Sequence, residues 1–231
     1  MQYQGGKFLQ APAIAKIINA NRSSPDEVVT DAFCGGLSVA AAIGGRVICN
    51  DSNDALITMY LAIQGGWEPP DSVTEAEWRA LKEREDRTDP AYAFAMIACT
   101  WGAKWGQGYA RRAGGNNFAR GSCRGLARKF RTLGRVTFKS CDYRDLEITP
   151  IMYCDPPYAG TAGYAGAPNK FDSDEFWEWA REVSKVATVY VSEYSAPADF
   201  MEIHSHRSNS RMVSGASTDN RLFVHGSHET P

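Results

Sequence analysis

The chain has 231 residues, of which 43% are hydrophobic and 23% are charged, as is ordinary for a soluble globular protein with one full core. No apolar run approaches the roughly 20 residues of a membrane span, and the first residues lack the basic and apolar regions of a secretory signal. The six cysteines show no CxxC spacing. We therefore expect a cytoplasmic protein with reduced thiols, no membrane contact and no metal site.

Apolar periodicity and turn residues predict an alternation of strands and helices along the chain. The predicted helices are 9–20, 37–43, 53–64, 73–86, 91–104, 123–132 and 172–184. The predicted strands are 28–30, 47–49, 136–138, 151–154 and 188–192, with one or two more between 200 and 225. This alternation favours a Rossmann-like α/β fold, in which a mostly parallel sheet carries helices on both faces.

The net charge of −2 conceals an uneven distribution of charge. Residues 90–141 contain 10 basic residues and no acidic residue. The segment before it has 8 basic against 13 acidic residues, and the segment after it has 7 against 14. A basic segment between two acidic ones is typical of a contact surface for a polyanion. Glycine, arginine and asparagine dominate residues 106–122, which predicts an exposed loop there.

The tetrapeptide Asp155-Pro156-Pro157-Tyr158 follows an apolar run, at the carboxyl end of a predicted strand, where open α/β sheets bind ligands. The Asp155 carboxylate and the Pro156 carbonyl can both accept hydrogen bonds, and the prolines offer no competing N–H. Tyr158 adds a flat aromatic face. Together they suit a nucleobase that carries an exocyclic amine, adenine or cytosine. The alternative is a buried strand ended by two prolines, with Asp155 as a cap.

Three further acids come at the ends of predicted strands. Asp31 opens a turn in which Gly35 and Gly36 permit close backbone approach of a ligand beside a helix N-terminus. Asp51 follows the next strand, where an acid commonly binds ribose hydroxyls, and Asp142 ends a third. A tight turn and a helix cap would also explain the first two features. Acids at several strand ends favour one ligand site along that edge of the sheet.

In their order along the chain, these motifs resemble those of S-adenosylmethionine-dependent DNA adenine-N6 methyltransferases of the Dam type. Residues 3–7 resemble the aromatic-x-Gly-Gly-Lys motif, residues 31–35 the acidic-x-Phe-x-Gly loop, and residues 155–158 the Asp-Pro-Pro-Tyr motif. A recognition region lies between the last two, and the resemblance runs from about residue 3 to about residue 195. It implies a class I methyltransferase fold with a catalytic domain (1–89 and 134–231) and a small helical and loop target-recognition insertion (90–133).

By this resemblance, S-adenosylmethionine is the cofactor, with Asp51 on its ribose and Asp142 on its adenine moiety. The expected cofactor-binding residues are Tyr3, Gly6, Lys7, Asp31, Phe33, Gly35, Gly36, Asp51, Asp142 and Asp155. The expected catalytic residues are Asp155, Pro156, Pro157 and Tyr158. They would hold an adenine flipped out of double-stranded DNA while its N6 amine attacks the sulfonium methyl directly, without a metal or a covalent enzyme–base intermediate.

The basic segment is the expected DNA-contact surface, because neutralising phosphates gives tight, salt-dependent binding. Asparagine suits adenine edges and arginine suits guanine, so either can add base readout. The expected DNA-binding residues are Arg111, Arg112, Asn116, Asn117, Arg120, Arg124, Arg128 and Lys129.

The chain departs from the family pattern at four points. Ala32 stands where the family usually has proline, Leu37 where it usually has a further glycine, and Tyr3 where it usually has tryptophan. We expect the first two changes to adjust the loop without abolishing cofactor binding. The recognition region is also short, which predicts relaxed or very short target recognition.

Three other functions fit parts of the same pattern. A cytosine-N4 methyltransferase would use the same acceptor geometry, although serine in place of Asp155 is commoner in such enzymes. A catalytically silent DNA-binding relative would keep the fold for recognition alone. A methyltransferase of RNA or of protein amides would change the substrate, although many such relatives have asparagine at this position. The resemblance implies a bacterial or phage-infected cytoplasm and a role in restriction-modification or phage biology.

Overall fold

The structure, a computed structural model, describes residues 1, 3, 5–111, 118–158, 171–206 and 219–227. The α-helices are α1 (Ala11–Ala20), α2 (Ser38–Ile43), α3 (Asp54–Gln64), α4 (Glu75–Arg84), α5 (Pro90–Ala98), α6 (Phe118–Thr132) and α7 (Ser173–Val183). The strands are β1 (Val29–Asp31), β2 (Arg46–Asn50), β3 (Arg135–Lys139), β4 (Ile151–Cys154), β5 (Thr188–Glu193), β6 (Phe200–His206) and β7 (Asn220–His225). Short 3-10 turns lie at Trp101–Ala103 and Tyr143–Asp145.

Among the described residues, seven strands form one sheet in the order β3-β2-β1-β4-β5-β7-β6. Strands β1 to β5 pair in parallel, and β7 runs antiparallel to both of its neighbours. The strand order reverses between β1 and β4, which is the point where sheets of this kind bind ligands outside their carboxyl ends. The mostly parallel, Rossmann-like sheet predicted from the sequence is therefore confirmed.

Helices cover both faces of the sheet, as predicted. Successive side chains of a strand point to opposite faces, and on β4 Ile151 and Tyr153 belong to one buried cluster while Met152 and Cys154 belong to another. Helices α1 to α6 all contribute buried residues to the first cluster, and α7 contributes to the second. Each cluster removes a broad apolar surface from water, which is the main favourable term in folding.

Two helices differ from their predicted bounds by more than two residues, in each case because of tertiary contacts. Helix α5 ends at Ala98 and not at residue 104, because Thr100 pairs with Tyr109 in an antiparallel bridge and its hydroxyl donates back to two carbonyls of the helix. Helix α6 already includes Phe118, in a stretch predicted to be a loop up to residue 122. Glycine disfavours a helix, but α6 buries Gly125 against the backbone of Met1 and Leu126 in the first cluster.

The two helices of the basic segment pack on the main body of the protein. Helix α5 is buried along most of its length and contacts α3 and α4, and α6 contacts α2 and α5. The boundaries of the recognition insertion, 90–133, stay a prediction. Across the ranges that the structure describes, every helix is too short or too polar to cross a bilayer.

Candidate active site

The site lies where the parallel strands β1 to β4 end side by side. Asp31 is the last residue of β1, Asp155 directly follows β4, and Asp51 directly follows β2. Asp142 follows β3 after a short link. Because these strands run in one direction, their carboxyl ends meet at a single edge of the sheet. The topology therefore brings four acids of distant sequence positions to one edge of the sheet.

Asn50, the last residue of β2, ties three of these strand ends together. Its buried side-chain amide donates to the carbonyl oxygens of Ala32 and Cys141, at 3.1 Å each, and its Oδ1 accepts from the Cys141 N–H at 3.1 Å. Ala32 follows Asp31 and Cys141 precedes Asp142, so one amide fixes the loops that carry two of the acids. The sequence interpretation gave Asn50 no role in the site.

One cavity at this edge of the sheet is lined by all ten residues expected to bind the cofactor. Those residues are Tyr3, Gly6, Lys7, Asp31, Phe33, Gly35, Gly36, Asp51, Asp142 and Asp155. Of the tetrapeptide, Pro157 also lines the cavity. The sequence interpretation missed several polar lining residues, which are Ser38, Asn50, Ser52, Asn53, Arg144, Asp172 and Glu175.

The turn formed by Gly35 and Gly36, here called the glycine turn, is held tightly. The Gly35 N–H donates to Asp51 Oδ2 at 3.0 Å, and the Gly35 carbonyl accepts from the buried Tyr60 hydroxyl at 2.6 Å. Tyr3 lies across the turn, so that a Cβ added to Gly35 or Gly36 would come within 2.8 Å or 2.7 Å of its side chain. Only glycine allows this approach, which explains on steric grounds why glycine occupies both positions.

Leu37 directly follows the glycine turn and adopts a conformation that favours glycine. Its φ is 60°, in the left-handed region, and it precedes the first residue of α2. A residue other than glycine costs roughly 1–2 kcal/mol there. The Leu37 side chain is fully buried in the first cluster, and this packing holds the residue in place. The loop thus keeps a glycine-like backbone where the resembling family usually has glycine.

Asp31 and Asp51 carry their carboxylates in a desolvated environment. Burial raises the pKa of Asp51 to about 6, against the opposing effect of hydrogen bonds from the N–H groups of Asn53 and Gly35. Burial, followed by the nearby negative charges of Asp155 and Asp51, raises the pKa of Asp31 well above its usual value. Asp31 Oδ1 has no hydrogen-bond partner among the described residues. A buried, unsatisfied carboxylate oxygen in a cavity is suited to a ligand that donates a hydrogen bond.

Lys7 and Asp155 form an ion pair between two motifs that are 148 residues apart. Lys7 Nζ contacts both carboxylate oxygens, at 2.6 Å and 2.8 Å, and also donates to the Gly5 carbonyl at 3.0 Å. The Lys7 side chain is 4% exposed and that of Asp155 17%. Burial raises the pKa of Asp155, while the charge and hydrogen bonds of Lys7, and then the nearby Tyr158 hydroxyl, oppose that rise.

Tyr158 is fixed on several sides. Its hydroxyl donates to Asn220 Oδ1 at 3.0 Å, and its ring meets the Tyr194 ring edge-on with centroids 4.5 Å apart. Lys7 Nζ lies 4.7 Å from the Tyr158 ring centroid. Tyr194 and Asn220, which lies on β7, therefore adjoin the tetrapeptide, and neither was among the residues predicted for the site. Pro156 is buried and Pro157 is half-buried.

Asp142, the acid expected at the cofactor adenine, is already paired. Arg144 donates to both of its carboxylate oxygens at 2.8 Å and also reaches Glu175 Oε1 at 2.5 Å. The Arg144 hydrogen bond is the main reason that the pKa of Asp142 lies below its usual value. Asp142 therefore stays ionised, and Arg144 links it to α7 at the rim of the cavity.

The residues expected to bind DNA fall into four groups. Arg112, Asn116 and Asn117 lie outside the described residues. Arg111 pairs with Glu75, with Nε to Oε2 at 2.7 Å, and Arg120 lies 3.6 Å from Asp71. Arg124 and Arg128 are exposed on α6. Lys129, also on α6, contacts the glycine turn, where its Nζ donates to the Gly36 carbonyl and to Ser38 Oγ.

Comparison with known proteins gives a family match for the N-terminal part of the chain. Residues 3–96 match the family described as D12 class N6 adenine-specific DNA methyltransferase. The matched part contains the Gly-Gly-Lys motif, the glycine turn and Asp51, and it ends before the tetrapeptide and most of the basic segment. None of the curated proteins matches this sequence.

Solved structures give matches at low similarity. An rRNA methylase from Streptococcus thermophilus matches with a TM-score of 0.41 and 8% identity, covering 94% of this chain and 94% of that chain. A tRNA methyltransferase from Aquifex aeolicus matches with a TM-score of 0.38 and 13% identity, covering 94% of this chain and 67% of that chain. The strand order of the sheet by itself is that of the class I methyltransferase fold, as the resemblance implied.

Proposed function

We propose that this protein is a DNA methyltransferase that transfers a methyl group from S-adenosylmethionine to the N6 amine of an adenine flipped out of double-stranded DNA. One observation carries the proposal: Asp155 of the Asp-Pro-Pro-Tyr tetrapeptide lines the same cavity as the glycine turn, Asp31 and Asp51. A methyl donor and an amine acceptor must meet in one site. In this cavity the glycine turn with Asp31 and Asp51 would hold the donor, and the tetrapeptide would hold the acceptor. The family match at residues 3–96 supports the choice of adenine in DNA.

The residues present fit S-adenosylmethionine. The unsatisfied Asp31 Oδ1 suits the α-ammonium group of its methionine part, and the carboxylate of Asp51 suits its ribose hydroxyls. Tyr3 packs directly against Gly35 and Gly36, so the backbone of the glycine turn and the Tyr3 side chain together form one wall of the cavity. When bound, the cofactor supplies an electrophilic methyl group on a sulfonium. Tyr3, Gly6, Lys7, Phe33, Gly36 and Asp142 complete the proposed binding site.

Asp155 and Pro156 would accept the two N–H bonds of the target amine and so orient its lone pair toward the methyl group. A carboxylate offers about four lone-pair positions, so Asp155 can keep its bond to Lys7 while it accepts from the amine. The Lys7 ammonium favours the ionised form of Asp155 and holds the carboxylate in one orientation. The amine loses one proton when it is methylated, and Asp155, already hydrogen-bonded to it, is the nearest acceptor.

Tyr158 would stack on the flipped base, a contact worth roughly 1–3 kcal/mol that offsets part of the cost of unstacking. Asn220 and Tyr194 hold its ring in place. Outside the cavity, the exposed Arg124 and Arg128 of α6 would contact phosphates. We keep Arg111, Arg112, Asn116, Asn117 and Arg120 in the proposed DNA-binding surface, with Arg111 and Arg120 exchanging their carboxylate partners for phosphates.

The test is transfer of a radiolabelled methyl group from S-adenosylmethionine to unmethylated double-stranded DNA, followed by nucleoside analysis. We expect label in N6-methyladenine. We expect Asp155→Asn to lose methyl transfer and keep DNA binding, whereas Asp145→Asn, the same change at an exposed acid outside the cavity, should keep both.

The same assay separates the alternatives. Label in N4-methylcytosine would establish that the protein is a cytosine-N4 methyltransferase. Label on RNA in place of DNA would establish that its substrate is RNA. Binding of S-adenosylhomocysteine and DNA without any transfer would establish a silent DNA-binding relative. Full activity of the Asp155→Asn variant would refute the role given to the tetrapeptide.

A further inference from the structure

Lys129 differs from the other cations of α6 in the direction of its side chain. Arg124, Arg128 and Arg131 are exposed, whereas Lys129 is half-buried. Its Nζ donates to the carbonyl of Gly36 and, at 3.1 Å, to Ser38 Oγ. Its amine is therefore engaged inside the protein, on two residues that line the cavity.

The Gly36 carbonyl depends on this contact because the residue is buried. The neighbouring backbone groups are engaged elsewhere, since the Gly35 N–H bonds to Asp51 and the Gly35 carbonyl accepts from Tyr60. Without the Lys129 ammonium, the Gly36 carbonyl would either stay unsatisfied or rotate toward another donor. The Gly36 carbonyl shares its peptide with the Leu37 N–H, which donates to the Cys34 carbonyl at 2.7 Å, so rotation of that peptide would open the turn around Gly35. An open turn would disturb the bond from the Gly35 N–H to Asp51, and with it the orientation of the carboxylate proposed to hold the ribose.

We propose that Lys129 is a positioning residue for the cofactor, which fixes the glycine turn and the Asp51 carboxylate from helix α6. The inference rests on the proposed function of the cavity as the S-adenosylmethionine site. It gives α6 two separate roles: Arg124 and Arg128 are the proposed DNA contacts, and Lys129 supports the cofactor pocket. Lys129 is accordingly removed from the phosphate-binding set.

The experiment measures S-adenosylhomocysteine binding by calorimetry, together with the KM for S-adenosylmethionine and kcat. Lys129→Met removes the donor and keeps the apolar stem, and Arg131→Met removes one charge from the exposed surface of the same helix. A stranded buried carbonyl costs enough to change an equilibrium constant about tenfold. We expect Lys129→Met to weaken binding and raise KM by about tenfold, with kcat at saturation little changed, and Arg131→Met to stay within about twofold of wild type. Lys129→Arg, which keeps a cationic donor, should recover most of the affinity.

The outcomes separate this inference from the proposed function. If wild type does not bind S-adenosylhomocysteine, the proposed function fails and the inference falls with it. If wild type binds and Lys129→Met binds equally well, the inference alone is overturned. An equal loss of affinity in Lys129→Met and Lys129→Arg would also overturn the inference. A packing defect would lower the affinity whether or not the new side chain carries a hydrogen-bond donor. Should the Met variant unfold, Lys129→Gln, whose side chain is too short to reach as far as Nζ, carries the same expectation.

Discussion

Removing either partner of the Lys7–Asp155 ion pair should destabilise the protein far more than removing both. The Lys7 ammonium is 4% exposed and touches both carboxylate oxygens, so Lys7→Met leaves a desolvated charge on Asp155. Breaking a buried pair on one side costs about 3–5 kcal/mol. Because Asp155 remains 17% exposed, we expect the lower end, about 3 kcal/mol, for Lys7→Met and for Asp155→Asn. The double variant should lie within about 1 kcal/mol of wild type, because no charge is then left unpaired.

The destabilisation caused by Lys7→Met should depend on pH with a definite sign. Burial raises the pKa of Asp155 above its unfolded value, and Lys7 opposes that rise. A raised carboxyl pKa contributes stability at low pH that is lost as pH rises through the folded pKa. Without Lys7 the pKa of Asp155 rises further, so ionised Asp155 is most costly at high pH. We therefore expect Lys7→Met to destabilise the protein more at pH 8 than at pH 5.

Urea unfolding at pH 5 and pH 8 measures the free energy of unfolding of each variant directly. The comparison requires that the dependence of this free energy on urea concentration stays that of wild type. Lys16→Met is the matched control, since Lys16 is exposed on α1 and the same change there should stay within about 0.5 kcal/mol. A Lys7→Met cost as small as that of Lys16→Met, or a double variant as unstable as the sum of the single ones, would refute the assignment of a buried ion pair.

Two further predictions concern the ligands. Because burial raises the pKa of Asp51 to about 6, S-adenosylhomocysteine affinity should fall as pH drops below 6, where the ribose-binding carboxylate is protonated; calorimetry showing a flat profile from pH 5 to 7.5 would exclude Asp51 from binding. Arg124→Ala with Arg128→Ala should reduce the slope of log affinity for DNA against log salt by about 2, roughly 0.9 for each lost phosphate contact. An unchanged slope in a salt titration would remove α6 from the DNA surface.

The sequence was sufficient to predict the sheet and the positions of the acids, because both depend on local signals. An apolar run followed by an acid marks a strand end, and parallel strands end at one edge, so Asp31, Asp51, Asp142 and Asp155 could be placed together before the structure was known. The pattern of small residues likewise predicted the glycine turn. These inferences need only the order of elements along the chain.

Contacts between distant residues could not be predicted in the same way. Nothing local marks Lys7 as the partner of Asp155, since 148 residues separate them, and the side chain of Asn220 reaches Tyr158 only because β7 is inserted beside β5. Lys129 looks like any other cation of a basic helix, and only the packing of α6 on α2 turns it toward the glycine turn. The early end of α5 has the same origin, because the bridge between Thr100 and Tyr109 competes with the next helical turn.

The charges around the cavity bear on the relative affinity of the pocket for the proposed methyl donor and for its product. Among the described lining residues are six acidic side chains and two basic ones, Lys7 and Arg144. These two cations are each paired to an acid, Asp155 and Asp142, whereas Asp31 is buried close enough to Asp51 and Asp155 that their charges raise its pKa. Such a pocket favours a cationic ligand. Methyl transfer converts a sulfonium into a neutral thioether, so the pocket attracts the donor more strongly than the product and favours exchange of one for the other after each turnover.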